Sequence, residues 1–152
     1  MTIGFDVYQD AKDSGKMYGA LVATMDLKEE STRYAKFFST VSAFRSPEQC
    51  SNEMSINVNK ALHEFCRQHG NLPQRILFYR DGFAESQIEN IYKYELKQLK
   101  KTLENTYGCV KLSPPKLAYV LVNKKMSAKF FFNDANVKPG TIVDDVLTLP
   151  ER

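Results

Sequence analysis

Two acids, Asp6 and Asp81, stand where a carboxylate could do chemistry. Asp6 interrupts the apolar run IGFDV, and Asp81 closes the apolar run RILFYR and is followed by Gly82. A carboxylate on a first strand and another at the end of a later parallel strand can meet above the carboxyl edge of a sheet, where open α/β sheets bind ligands. Two carboxylates brought together repel unless a cation stands between them. Magnesium takes hard oxygen ligands and keeps water or phosphate oxygens in its other positions. Two such ions about 4 Å apart could clamp the attacking and leaving oxygens of a phosphodiester. A plainer reading stands beside this one: Asp6 as a charge that protects an edge strand, and Asp81 as the first residue of a turn with Gly82. The other acidic residues read as solvated loop or helix-face positions.

Charge distribution supplies a second candidate. From Lys111 to Lys129 the chain carries Lys111, Lys116, Lys124, Lys125 and Lys129 and no acid. Lys124 and Lys125 follow the apolar run LAYVLV, so they emerge at a strand end, where lysines can grip phosphates; a plain solvated loop fits the same pattern. Lys93, Lys97, Lys100 and Lys101 fall on the polar side of a helical pattern and read as a solvated face.

The elements that must position these residues are legible from periodicity. Residues 2–8 alternate apolar and polar, which marks a strand. The turn cluster DAKDSGK joins it to a second strand over 18–25, and a third covers 36–44, giving an antiparallel meander. The period then changes: Met54, Val58, Ala61, Leu62 and Phe65 form one apolar helix face. That helix starts near residues 47–51 and ends at His69, with Gly70 as its stop. Residues 75–80 form a short buried parallel strand. A second helix spans about 86–107, with Ile88, Ile91, Tyr92, Leu96, Leu99 and Leu103 inward and Gly108 as its cap. Strands are expected at 117–122, 128–132 and 141–147. The order βββαβαβ defines an α/β fold, a meander followed by alternating helices and strands, as a ribonuclease-H-like domain requires.

Composition narrows the class. With 43% hydrophobic and 26% charged residues, the 152-residue chain can bury a core, and its net charge of +3 does not by itself argue for nucleic acid. Cys50, Cys66 and Cys109 are odd in number and widely spaced, which speaks against a disulfide framework or a zinc site and fits a reducing compartment. His63 and His69 read as structural or surface residues. No apolar run is long enough to span a membrane. MTIGFDVYQD has no leader-like character and reads as a strand that begins at once; with the abrupt TLPER end, this is expected of an excised piece.

The segments MTIGFDV, FSTVSAF, ALHEFCRQHGNLPQRILFYRDG, LSPPKLAYVLVNKK and PGTIVDDVLTLPER together resemble the Piwi domain of Argonaute proteins, most of all the insect Piwi/Aubergine-like PIWI clade. The resemblance covers nearly all of residues 1–152, as one partial ribonuclease-H-like domain truncated at its C-terminus. It implies a guide piRNA paired with a target RNA, cleavage of that target, transposon silencing with partner proteins, and residence in perinuclear cytoplasmic granules or the nucleus.

It also implies a catalytic set of two aspartates, a glutamate finger and a histidine, with Mg2+ or Mn2+ as cofactor. Asp6 and Asp81 match the two metal-binding aspartates. The finger position falls on Gln49; Glu48 is adjacent and could serve if a loop there shifted by one residue. The family's histidine lies beyond LPER. Lys124, Lys125 and Lys129 match basic positions that contact the guide backbone, which positions RNA without reading its sequence. The alternative is a module that holds guide and target but does not cut, silencing through partners. As an isolated piece, the chain is expected to bind RNA weakly, cut little and expose apolar surface.

Overall fold

The computed structural model describes residues 1–13, 15–26, 36–83, 85–124 and 129–143. Three strands come first: β1 (Thr2–Gln9), β2 (Met17–Thr24) and β3 (Phe37–Phe44). Helix α1 (Pro47–His69) and strand β4 (Arg75–Arg80) follow. A helical stretch then runs through a 3-10 turn (Glu85–Gln87), α2 (Ile88–Asn90), a π-helical segment (Ile91–Leu96) and α3 (Lys97–Cys109). Strand β5 (Lys116–Leu121) and a small hairpin of β6 (Phe131–Phe132) and β7 (Ala135–Asn136) complete the described elements. The expected meander and the alternating helices and strands are both present. Residues 141–143 carry no strand, and the rest of the strand expected over 141–147 lies outside the described residues.

The five-stranded sheet has the order β3-β2-β1-β4-β5. β1 pairs antiparallel with β2 and parallel with β4, and β4 pairs parallel with β5. β1 is therefore central, which removes the edge-strand reading of Asp6.

Strand alternation sends Ile3, Phe5, Leu21, Ala23, Ile76 and Phe78 to one face, where Met54, Val58, Leu62 and Phe65 of α1 and Leu99 and Leu103 of α3 join them in one buried cluster. The opposite face leaves Val22, Val41, Tyr79 and Val120 exposed. Among the described residues, no helix is long and apolar enough to cross a membrane.

Caps explain where α1 begins and ends. Ser46 has extended backbone angles, and its Oγ accepts from the Gln49 amide at 3.2 Å. The Gln49 side chain reaches back and accepts from the Arg45 amide at 2.8 Å. This is a variant of the capping box, with Pro47 in the first turn where its missing N–H costs nothing. Gly70, at φ +74°, ends the helix by donating to the Cys66 carbonyl. His69 is held by the Met25 carbonyl at 2.6 Å and packs on Phe65, while His63 is exposed, so both are structural or surface residues.

Two details of the second helical stretch differ from expectation. Gly108 lies inside α3, and the chain turns out at Val110 and Lys111, the latter at φ +57°. Tyr92 is 71% exposed rather than inward. The buried positions of this stretch, Ile91, Glu95, Leu99, Leu103 and Tyr107, recur every four residues, so Glu95 and not Tyr92 lies on the inward face.

Candidate active site

The parallel register between β1 and β4 ends on the pair Phe5↔Arg80. Asp6 and Asp81 are each the next residue, and the Asp81 amide donates to the Phe5 carbonyl at 2.9 Å. The two acids thus stand side by side on neighbouring strands, whose usual spacing is about 4.8 Å. Because Phe5 and Arg80 turn into the core, alternation sends Asp6 and Asp81 to the other face. Asp6 is exposed and Asp81 is partly buried.

Gly82 locks this arrangement. Its φ is +71°, and a Cβ there would collide with Asp6 Oδ1 and with the Val7 backbone. The turn reading of Asp81 also holds, because its Oδ1 accepts from the Gly82 amide at 2.8 Å. The turn and the carboxylate pair are one feature. Both acids line a cleft of about 1650 Å³ that also takes in Glu48, Lys97, Lys101 and Lys124.

The structure brings Lys124 to the aspartates. Its ammonium forms an ion pair with Asp81 Oδ2. Its hydrogen bond to Asp81 first, with the charges of Asp81 and Asp6, holds the Lys124 pKa above its usual value. In turn the Lys124 ammonium, followed by the Gly82 amide, holds the Asp81 carboxyl below the usual carboxylate range. Lys129 is exposed, and Lys125 lies outside the described residues.

A depressed carboxyl stabilises the folded state above the unfolded pKa, roughly 3.9 for Asp, and that contribution is lost as pH falls through the folded value. Lys124→Gln is therefore expected to raise the Asp81 midpoint and to flatten the acid limb of stability. A carbon-13 NMR titration of the Asp81 carboxyl checks this; an unchanged midpoint would show that Lys124 does not act on it.

Glu48 and Gln49 lie in the first turn of α1 and not in a loop. Gln49 is occupied by the cap described above, so a one-residue shift would have to undo that cap. Glu48 is exposed and faces the cleft. Lys97 and Lys101, read from sequence as solvated, are exposed but line the same cleft.

Not every remaining acid is solvated. Glu95 is 7% exposed and binds Arg80 through both oxygens, at 2.9 and 3.1 Å. It stands four residues from both Ile91 and Leu99, so the helical spacing places it on the apolar face, although its charge reads as solvated from the sequence. Cys50 is buried, and burial first, with nearby Glu95, pushes its thiol up to about 12, which keeps it a packing residue rather than a thiolate.

The donors present suit the divalent metal that the resemblance implies. Two adjacent carboxylates suit magnesium, which is often held by one or two carboxylates with water and substrate phosphate completing its octahedron. The pair already attracts a cation, the Lys124 ammonium. Asp6 and Asp81 together are donors that fit such an ion; among the described residues no cluster of three or more metal-binding side chains exists.

A central strand running parallel to its neighbour on one side and antiparallel on the other, with a carboxylate pair at the carboxyl edge, is the arrangement expected of a ribonuclease-H-like α/β domain. The family model of the Piwi domain matches residues 1–152. The chain is 43% identical over 152 residues to "Protein piwi" and 42% identical over 153 residues to "Protein aubergine", both of Drosophila melanogaster. These matches cover 100% of the chain but 18% and 17% of the two relatives, so the chain spans less than a fifth of their length. The crystal structure of Drosophila Piwi matches 99% of the chain and 20% of its own, with 44% identity and a TM-score of 0.81. Kluyveromyces polysporus Argonaute, solved with a guide RNA, shares the fold at 17% identity and a TM-score of 0.61, over 79% of this chain and 14% of that one. The chain belongs to the Piwi-domain family, within the PIWI clade of Argonaute proteins.

Proposed function

We propose that this chain supplies part of the nuclease domain of a piRNA-guided endonuclease, in which Asp6 and Asp81 hold Mg2+ or Mn2+ against the target RNA backbone. The single observation that carries this reading is the register of β1 and β4, which sets the two carboxylates side by side at the edge of a wide cleft. A divalent ion bound there would polarise a phosphodiester and stabilise the charge that develops on its oxygens. The chain's own contribution is to fix the carboxylates on rigid strands and to present cations to the RNA. Lys124 offsets the charge of the aspartates, a role that a bound divalent ion would also fill. Lys124, Lys125 and Lys129 then serve the guide backbone, and Glu48 is the candidate for the third acid. That the Argonaute of K. polysporus was solved with a guide RNA in the same fold supports an RNA ligand.

One observation favours the non-cutting alternative. Gln49, at the position matched to the glutamate finger, is neutral and engaged in capping α1.

The test uses the longer protein that carries this segment, loaded with a guide and given a matched target RNA and Mn2+. Asp6→Asn and Asp81→Asn are each expected to reduce cleavage by about 100-fold or more while guide binding persists, as befits loss of a group acting in the transition state. Cleavage by both variants at the parent's rate would refute the site. Guide and target binding without cleavage by the parent would establish the alternative.

A further inference from the structure

We infer that Arg80 is a positioning residue for the aspartate pair, with Glu95 as its buried counter-ion; this rests on the reading of Asp6 and Asp81 as a metal site. Arg80 ends β4, and its side chain is only 4% exposed. Its guanidinium carbon lies 5.1 Å from the centre of the Phe5 ring, the residue that precedes Asp6. Two of its nitrogens are fixed by Glu95, Nε at 2.9 Å and Nη2 at 3.1 Å. The third, Nη1, donates to the Asp81 carbonyl and reaches the Gly82 carbonyl at 3.5 Å. One planar group therefore touches the strand before the first aspartate and the backbone of the second aspartate and its turn glycine.

The geometry of Glu95 explains how the fork is aimed. Glu95 stands on the π-helical segment, a rare form that occurs frequently at functional sites. The Tyr119 hydroxyl donates to Glu95 Oε2 at 3.4 Å, and the Tyr119 ring stacks on Phe78 at 4.9 Å. The carboxylate is thereby held from β5 as well as from the helix. A lysine could meet the charge of Glu95 but could not span both it and the two carbonyls with one rigid fork.

Stability alone is a poor reason for such a pair. Two charges taken from water cost about as much as their attraction returns, and replacing both by apolar groups of similar size is often neutral or stabilising. What apolar replacements cannot supply is the donor to the Asp81 and Gly82 carbonyls. That difference separates a positioning role from packing.

The experiment compares the full chain with the double variant Arg80→Met/Glu95→Leu and with Arg80→Lys. Amide hydrogen exchange at Asp81 and Gly82 is read against Phe78, thermal unfolding is followed in parallel, and Mn2+ binding is measured by electron paramagnetic resonance. The double variant is expected to melt near the parent's temperature yet to exchange at Asp81 and Gly82 about tenfold faster, the effect of losing one charge-assisted hydrogen bond. Its Mn2+ affinity is expected to fall about 10–100-fold, as is usual when a partner of a metal ligand is lost. Arg80→Lys should not restore either property. Unchanged exchange in the double variant overturns the positioning role whatever the metal does. Asp6→Asn with undiminished Mn2+ binding overturns the metal reading instead, and leaves the exchange result to decide the role of Arg80.

Discussion

Phe78→Ala is expected to destabilise the folded chain by about 3–5 kcal/mol, the range for removing a large aromatic from a sealed core. Phe78 is 0% exposed and sits mid-strand on β4, registered with Ile3 of β1 on one side and Tyr119 of β5 on the other. Its ring lies nearly parallel to that of Tyr119, 7° apart in plane. β4 is held by hydrogen bonds on both edges, so the backbone cannot move in to fill the space, and the cavity term adds to the lost burial. Stability of a domain is commonly about 5–15 kcal/mol, so this one truncation removes a large share. Tyr79→Ala, one residue further on, is the internal control. Tyr79 points to the open face and is 41% exposed, so its truncation is expected to cost less than half as much. Urea unfolding of the two variants checks the order. Equal losses would mean that the open face is as well packed as the helix face.

Much of this fold was legible because its elements obey one period each. The period-2 alternation of residues 2–8 and the 3–4 spacing of Met54, Val58, Ala61, Leu62 and Phe65 became β1 and α1 because each puts one apolar face against the same core. Asp6 and Asp81 stood out because charge interrupts or ends an apolar run. What periodicity could not show was the partner of each. That Asp6 meets Asp81 follows from sheet order, which brings residues 75 apart into register. That Lys124 reaches Asp81 follows from β5 lying next to β4. Glu95 lies four residues from Ile91 and Leu99 on the apolar face, but a charged residue there reads as solvated until its partner Arg80, on a strand 15 residues earlier, is known. Glu48 and Gln49 were expected in a loop, yet Ser46 and Gln49 satisfy the first amides of α1, and the helix begins at Pro47. A serine followed three residues later by glutamine is a helix-start signature that the sequence does carry.

Gly82→Ala is expected to cost about 1–3 kcal/mol for backbone strain alone, since φ +71° suits only glycine without penalty. The collision with Asp6 and Val7 adds to that. Gly70 offers the matched comparison, because its φ is +74° but nothing lies within 4 Å of where its Cβ would be. Gly70→Ala therefore reports the left-handed cost by itself, and the excess in Gly82→Ala reports the crowding around the carboxylates. The atoms in the way belong to the backbone of β1 and to Asp6, and β1 is the central strand. Relief must come either from moving the Asp6 side chain away from Asp81 or from opening the β1–β4 register. Both routes separate the two carboxylates. Gly82→Ala is thus expected to unfold at clearly lower urea than Gly70→Ala and to lose Mn2+ affinity, whereas Gly70→Ala keeps it. Equal midpoints with unchanged Mn2+ binding would show that the turn can yield without disturbing the aspartates. The glycine after Asp81 would then matter only for its φ, and the closeness of Asp6 to Asp81 would depend on the strand register alone.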